Sequence, residues 1–266
     1  MSKRLLLYAG LSLALISFQS CTQSSSTEIS SQPATEAEPA NPAAAGFNAE
    51  ASDSAAIAIA DQVMEAMGGR KAWDDTRYIS WTFFGRRDLL WDKYTGNVDI
   101  SIPAKKLRIM TNVNKGGGRA WGDDLEFIET DTLESLLSMG KSIWINDAYW
   151  LVMPFKLKDS GVTLLYKGEG TTEDGKPAYR LDLTFDGVGD TPENRYEVMV
   201  DTNTHLVTEW SYFANASDTT AAFTTPWSDY KQYGDILLSG NRGKNSLDNI
   251  VVRDSLSDNP FTKLGE

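Results

Sequence analysis

The sequence predicts a mainly β, α+β fold in which about eight to eleven antiparallel strands pack against two or more helices. Three observations carry this. After Trp73 the apolar residues recur with a period of two along most of the chain. The pieces between these stretches are short and rich in turn formers: Asp-Lys-Tyr-Thr-Gly at 92–96, Asn-Lys-Gly-Gly-Gly at 114–118, Glu-Asp-Gly-Lys-Pro at 173–177 and Asp-Thr-Asn-Thr-His at 201–205. Connections of that length cannot hold a helical crossover, so neighbouring strands run antiparallel. Two further segments repeat at helical spacing.

The first helix is expected from Asp53 to Met67, with Ser52 or Ser54 as cap, a stripe of Ile57, Ala60, Met64 and Met67 widened by Ile59 and Val63, and Gly68-Gly69 as its stop. Strands are expected at 77–85, 97–102 and 106–113. The second helix is expected from Asp131 to Met139, capped by Thr130 or Asp131, apolar at Leu133, Leu136 and Leu137, and stopped by Gly140. Further strands are expected at 143–153, 162–168, 178–185, 195–200, 206–213 and 225–238. From Tyr179 to Asp186 every odd residue is apolar and every even one polar, the pattern of a sheet wet on one face. Ile143 to Met153 carries apolar residues on both faces, which as a strand requires cover on both sides from helices or a ligand.

Ahead of this domain lie two pieces of different character. Residues 1–20 read as a signal peptide: Lys3 and Arg4, an apolar run from Leu5 to Phe18, then Phe18-Gln19-Ser20 before Cys21. As a helix the run spans about 21 Å, short of a hydrocarbon core of about 30 Å, so cleavage is expected rather than membrane spanning. Phe-Gln-Ser-Cys resembles a bacterial lipobox, which implies that Cys21, the one cysteine of the chain, is acylated and becomes the first residue of the mature protein. Residues 21–51 are Ser, Thr, Gln, Glu, Pro and Ala with few large apolar side chains, and are expected to be a disordered linker. Residues 52–266 are expected to form a single domain. Loss of Lys3 and Arg4 leaves 23 basic against 37 acidic residues, a net charge of −14. That charge argues against nucleic acid as a partner and against docking on anionic lipid, so membrane attachment falls to the acyl chains. A lipid-anchored place in the bacterial cell envelope follows, and Thr22 after Cys21 points to the outer membrane.

The catalytic inventory is thin. His205 is the single histidine and sits in a turn, which leaves no Cys/His pair and no zinc site of ordinary composition. Asp74-Asp75 and Asp123-Asp124 are carboxylate pairs in turn-like pieces, read as solvated loop charges rather than a glycosidase pair. Asp182 to Glu193 approaches the spacing of a calcium loop, but its first half is a period-two strand and no helix flanks it. Gly140-Lys141-Ser142 lacks the earlier glycine of a phosphate loop. No enzyme activity, cofactor or metal is expected.

Aromatic residues are the remaining signal: eight Trp, ten Tyr and ten Phe. Trp81, Phe83, Trp144, Tyr149, Trp150, Phe155, Trp210 and Tyr212 could line a pocket for an acyl chain or present flat faces to sugar, with a plain core role as the alternative for each; Trp81, Phe83, Trp144, Trp150, Trp210 and Tyr212 are the ligand-binding candidates. The leader, the linker, the helix ending in Gly68-Gly69, Trp91-Asp92-Lys93-Tyr94-Thr95-Gly96, the stretch from Trp144 to Phe155 and the closing run from Tyr230 to Leu238 together resemble the outer-membrane lipoprotein-sorting protein superfamily, which includes the LolA and LolB carriers and LppX-type lipoproteins. That resemblance implies an unclosed antiparallel half-barrel, helices over its concave face, and a cavity for lipid or lipoprotein acyl chains. An anchored chain of this kind fits an acceptor or binder better than a diffusing shuttle. A structural or glycan-binding surface lipoprotein that uses exposed aromatics is the other function in view.

Overall fold

A computed structural model describes residues 40–264; the leader, Cys21 and most of the linker lie outside the described residues. The chain begins with helices α1 (Ser54–Ala66) and α2 (Gly69–Asp75). A meander follows of β1 (Tyr78–Phe83), β2 (Arg87–Asp92), β3 (Asn97–Ile102), β4 (Leu107–Asn112), β5 (Gly118–Gly122) and β6 (Leu125–Glu126). A long helix, α3 (Thr130–Val152), leads to a second meander of β7 (Val162–Thr171), β8 (Pro177–Phe185), β9 (Arg195–Asp201), β10 (Val207–Phe213) and β11 (Phe223–Pro226). The chain closes with β12 (Ser228–Tyr233), β13 (Ile236–Arg242) and β14 (Asn245–Arg253).

The fold is mostly β, antiparallel and unclosed. Nine strands pair in the order β12-β13-β14-β1-β2-β3-β4-β5-β6, and five in the order β11-β10-β9-β8-β7. The described residues thus hold 14 strands rather than eight to eleven. The missed ones share a cause: β2 opens with Arg87-Asp88, β5 is five residues between glycines, and β14 (Asn-Ser-Leu-Asp-Asn-Ile-Val-Val-Arg) has no clean alternation. The stretch read as one strand from Thr225 to Leu238 is three, and it crosses between sheets. The Trp227 N–H still donates to the Thr208 carbonyl of β10 at 2.7 Å, in line with the Glu209–Pro226 pairing, and the next residue, Ser228, pairs with Asn241 of β13.

The larger correction is α3. The sequence suggested a helix ending at Gly140 and then a strand over 143–153; instead one helix of 23 residues runs through both. Glu129 caps it, accepting from the Asp131 and Thr132 N–H groups. Gly140 is not a stop but a point of close approach: a Cβ there would lie 2.8 Å from Cγ2 of Ile109 on β4. The buried set Gly140, Asp147, Ala148, Leu151 and Val152 has helical spacing. Apolar residues on both apparent faces of 143–153 therefore reflect a helix half-sunk between sheets, with Trp and Tyr mimicking β composition.

The linker also ends earlier than expected. Residues 41–51 lie along the domain: the Ala44 N–H donates to the Lys158 carbonyl, and the Asn48 N–H donates to the Val162 carbonyl at 3.0 Å. Phe47 packs on the core. Gly68-Gly69 follows the end of α1, as expected, and opens a second short helix, α2, that the sequence did not predict. Trp73 of α2 then stacks on Phe155 at 4.4 Å between ring centres.

Two arginines, Arg87 partly exposed and Arg242 buried, fix α3. Arg87 on β2 forms a two-pronged pair with Asp147, whose side chain has no exposure. Arg242 on β13 donates from Nη2 to the Trp150 carbonyl at 2.7 Å, one of the carbonyls left free at a helix C-terminus. Its guanidinium lies 3.4 Å from the Trp227 ring centre. No carboxylate pairs with Arg242 among the described residues, and burial lowers its pKa to about 9, so it remains a cation near neutral pH.

Candidate functional site

Between the second half of α3 and the five-stranded sheet lies a cavity of about 490 Å³, within the range of about 300–1,000 Å³ usual for small-molecule sites. Helical spacing on α3 turns Trp144, Ala148 and Val152 toward it, with Tyr149 and Trp150 beside them. The sheet contributes Phe185 from the end of β8, Tyr196 from β9 and Trp210 from β10. Tyr196 pairs with Tyr212 across the two strands, so Trp210, two residues from Tyr212, shares their face.

Ring contacts join the wall residues in two groups, one of Tyr149, Trp150, Phe185, Tyr196 and Trp210 and one of Trp91 and Trp144. Tyr196 and Trp210 stack at 4.7 Å with their planes 3° apart. Trp150 meets Trp210 edge to face at 4.8 Å, and Trp91 of β2 meets Trp144 in the same way at 5.3 Å. Tyr149 lies 5.6 Å from Tyr196 and 5.9 Å from Trp210. The polar groups sit at the rim, where Lys156 forms an ion pair with Asp159 near Ser160, Asp190 and Thr191. The β8–β9 connection crosses that rim: the Asp186 N–H donates to the Gly161 carbonyl at 2.8 Å, and a Cβ on Gly161 would come within 2.7 Å of the Val188 methyl groups. Glycine at 161 lets this loop seat Val188 against the mouth.

The wall carries no charge. Burial raises the Tyr149 hydroxyl pKa far above the usual phenol range, and burial pushes Tyr196 up to about 12 against an opposing hydrogen bond with Asn194. Trp144 Nε1, Tyr149 Oη and Trp210 Nε1 are closed to solvent and have no hydrogen-bond partner among the described residues. A buried polar group left in that state costs roughly 1–3 kcal/mol.

Of the residues singled out from sequence, the cavity brings together Trp144, Tyr149, Trp150 and Trp210. Trp144 and Trp150 reach it from a helix, not from the strand first assigned to them. Trp81 and Phe83 lie in the core of the nine-stranded sheet, 2% and 4% exposed, and do not line the cavity. Tyr212 lies on the same face beside Tyr196 but outside the cavity lining, stacked on Phe223 at 5.1 Å, with its hydroxyl donating to Asn194 at 3.2 Å. Trp91, Phe185 and Tyr196 are wall residues that the sequence reading left out. The alternation in β8 already put Phe185 on the apolar face.

The catalytic candidates are engaged elsewhere. His205 has a left-handed backbone (φ 57) in the β9–β10 turn, where Asp201 Oδ1 accepts from the Asn203 and Thr204 N–H groups. Asp74 pairs with Arg70, Asp75 with Lys71 and Asp123 with Lys106, while Asp124 is a turn residue with φ 67. Asp182, first residue of the calcium-like spacing, pairs with Arg195 at 3.1 Å. Among the described residues no group of three or more His, Cys, Asp or Glu is placed to hold a metal ion. A second groove of about 790 Å³ lies between Arg108, Arg119, Trp121 and Lys106. Its main cations are matched within the fold, Arg108 to Asp99 and Arg119 to Glu126.

No protein-family model matches the chain, and no curated protein does. Among solved structures it is similar to a DUF1329 family protein from Desulfovibrio piger ATCC 29098, with 14% identity and a TM-score of 0.44 over 79% of this chain and 98% of that one. It is also similar to a Vibrio parahaemolyticus domain that carries the name outer membrane lipoprotein-sorting protein, with 10% identity and a TM-score of 0.40 over 79% of this chain and 97% of that one. At this identity and overlap neither likeness transfers a ligand or a role.

Proposed function

We propose that this chain is a membrane-tethered, non-catalytic binder that holds an acyl-type apolar guest, from a lipid or a lipoprotein, in the cavity between α3 and the five-stranded sheet. The aromatic wall is the observation that carries this reading. Its rings desolvate a hydrocarbon chain, and each buried methylene contributes about 0.8 kcal/mol. The polar rim at Lys156, Asp159 and Thr191 gives a head group a wet exit. An anchor on acylated Cys21 would hold the domain within reach of a membrane of the cell envelope, the outer membrane being favoured by Thr22. Among the described residues no helix is long and apolar enough to cross a membrane. A glycan-binding surface is less well supported, because the exposed large aromatics there are Tyr94 and Phe223, and no tryptophan is among them.

Two measurements test the proposal. Organic extraction of the untagged full-length protein, followed by mass spectrometry, is expected to recover an acyl lipid near one per chain. Diphenylhexatriene, a hydrocarbon whose fluorescence rises in apolar surroundings, is expected to bind saturably. Absence of both a recovered lipid and a fluorescence rise would remove the function. Cys21→Ser is expected to move the protein from the membrane to the soluble fraction; retention on the membrane would remove the anchor.

A further inference from the structure

We infer that the guest is not a bare hydrocarbon but carries a hydrogen-bond acceptor of the acyl-carbonyl class, an ester or amide, which enters the cavity and is received by Tyr149 Oη and the indole N–H groups of Trp210 or Trp144. This rests on the cavity being the binding site, as proposed above, and adds the chemistry of what it holds. Six buried side-chain polar atoms lack a hydrogen-bond partner among the described residues, and three of them belong to this one wall. Such groups are scarce in folded proteins, and their concentration at one place calls for a reason.

Their chemistry has a direction. An indole N–H can only donate, and a phenol that has found no acceptor also has a proton to give. The acceptors near the cavity, Asn146, Asp159, Ser160, Asp190 and Thr191, are at the rim rather than behind the aromatic wall. A wall built only to hold methylene groups would be served by Phe and Leu at the same positions. Trp and Tyr instead present edges with donors and no complement, so the complement is expected on the guest. The donors are closed to water in this structure, where Trp210 is packed against Tyr149, Trp150 and Tyr196, so a guest reaches them by displacing ring contacts along the cavity wall. An acyl carbonyl meets the requirement at the end of its own chain: two lone pairs, no proton and no charge to desolvate.

Tyr149→Phe isolates the claim, because it deletes one hydroxyl and leaves the ring contacts to Tyr196 and Trp210 in place. Two probes are compared on the full-length protein: diphenylhexatriene, which has no acceptor, read by its own fluorescence, and monolauroylglycerol, which has an ester carbonyl, read by displacement of that dye. The expected result is a loss of about fivefold in monolauroylglycerol affinity with diphenylhexatriene affinity unchanged. Equal losses for both probes, or no loss for either, overturn the inference while leaving an apolar site standing. Failure of both probes to bind the unmodified protein defeats the proposed function itself. Competition by an N-lauroyl peptide as well as by the glycerol ester supports an acylated protein as source of the carbonyl; competition by the ester alone supports a free lipid.

Discussion

The guanidinium of Arg87 grips the carboxylate of Asp147 through two parallel hydrogen bonds, Nε to Oδ2 at 2.7 Å and Nη2 to Oδ1 at 2.8 Å. The first residue stands at the start of β2 and the second in the middle of α3, so the pair fixes the rotation of the helix about its axis. That rotation decides which face α3 turns to the cavity: Ala148 and Tyr149 follow Asp147 directly, and Trp144 lies three residues before it. Arg87 also covers the Phe83 ring at 4.8 Å, which assigns Phe83 a supporting part rather than contact with a guest.

Arg87→Met is therefore expected to destabilise the fold by about 3 kcal/mol at neutral pH, because it leaves the wholly buried Asp147 without its counter-charge. Burial already raises the Asp147 pKa, with Arg87 and then Asn146 opposing the shift. Removing Arg87 raises it further. A carboxyl whose folded pKa lies above its unfolded value binds protons more readily in the folded state, so stability rises as pH falls through the folded pKa. The deficit of the variant, measured by urea unfolding, should shrink between pH 7.5 and pH 5. A deficit that is constant across this range would show that Asp147 stays ionised without its partner.

Gly140→Ala tests the contact that made the sequence misleading. Alanine in place of glycine within a helix gains about 1 kcal/mol. Here the new methyl would meet Ile109 Cγ2 at 2.8 Å in a packed interior, at a cost of about 1–3 kcal/mol. Overpacking is expected to win, with a net loss of about 1 kcal/mol in the same unfolding measurement. A gain would mean that β4 yields at Ile109 without cost.

The same residue shows what was legible in the sequence and what was not. Helix α1 and strands β3, β4 and β7 to β10 were readable because their apolar periodicity is local and the turns between them are written in Asn, Asp, Gly or Pro, although β4, β8 and β9 bury consecutive residues. Gly140 looks locally like a stop and acts tertiarily as a groove, and only the partner, Ile109, distinguishes the two. Once the helix was cut there, Trp144, Tyr149 and Trp150 fell into a strand, and the face that groups them with Phe185, Tyr196 and Trp210 was lost. Trp81 and Trp210 are both almost fully buried tryptophans on strands. One belongs to a sheet core and the other to a cavity wall, and their sequence surroundings do not separate them.

Ala148→Phe places a ring where the site is thought to hold its guest. Ala148 is 5% exposed and points from α3 into the cavity between Trp144 and Val152. A benzyl group there enters open space rather than packed core, so stability should change by no more than about 1 kcal/mol. Diphenylhexatriene affinity should fall at least about tenfold, equivalent to about 1.4 kcal/mol of lost binding, because the new ring competes with the dye for the same rings of Tyr196 and Trp210. Arg108→Met, in the second groove, should leave the dye affinity as it was. If the reverse held, with Ala148→Phe neutral and Arg108→Met weakening the dye, the guest would belong beside Trp121, and the aromatic wall under α3 would be core.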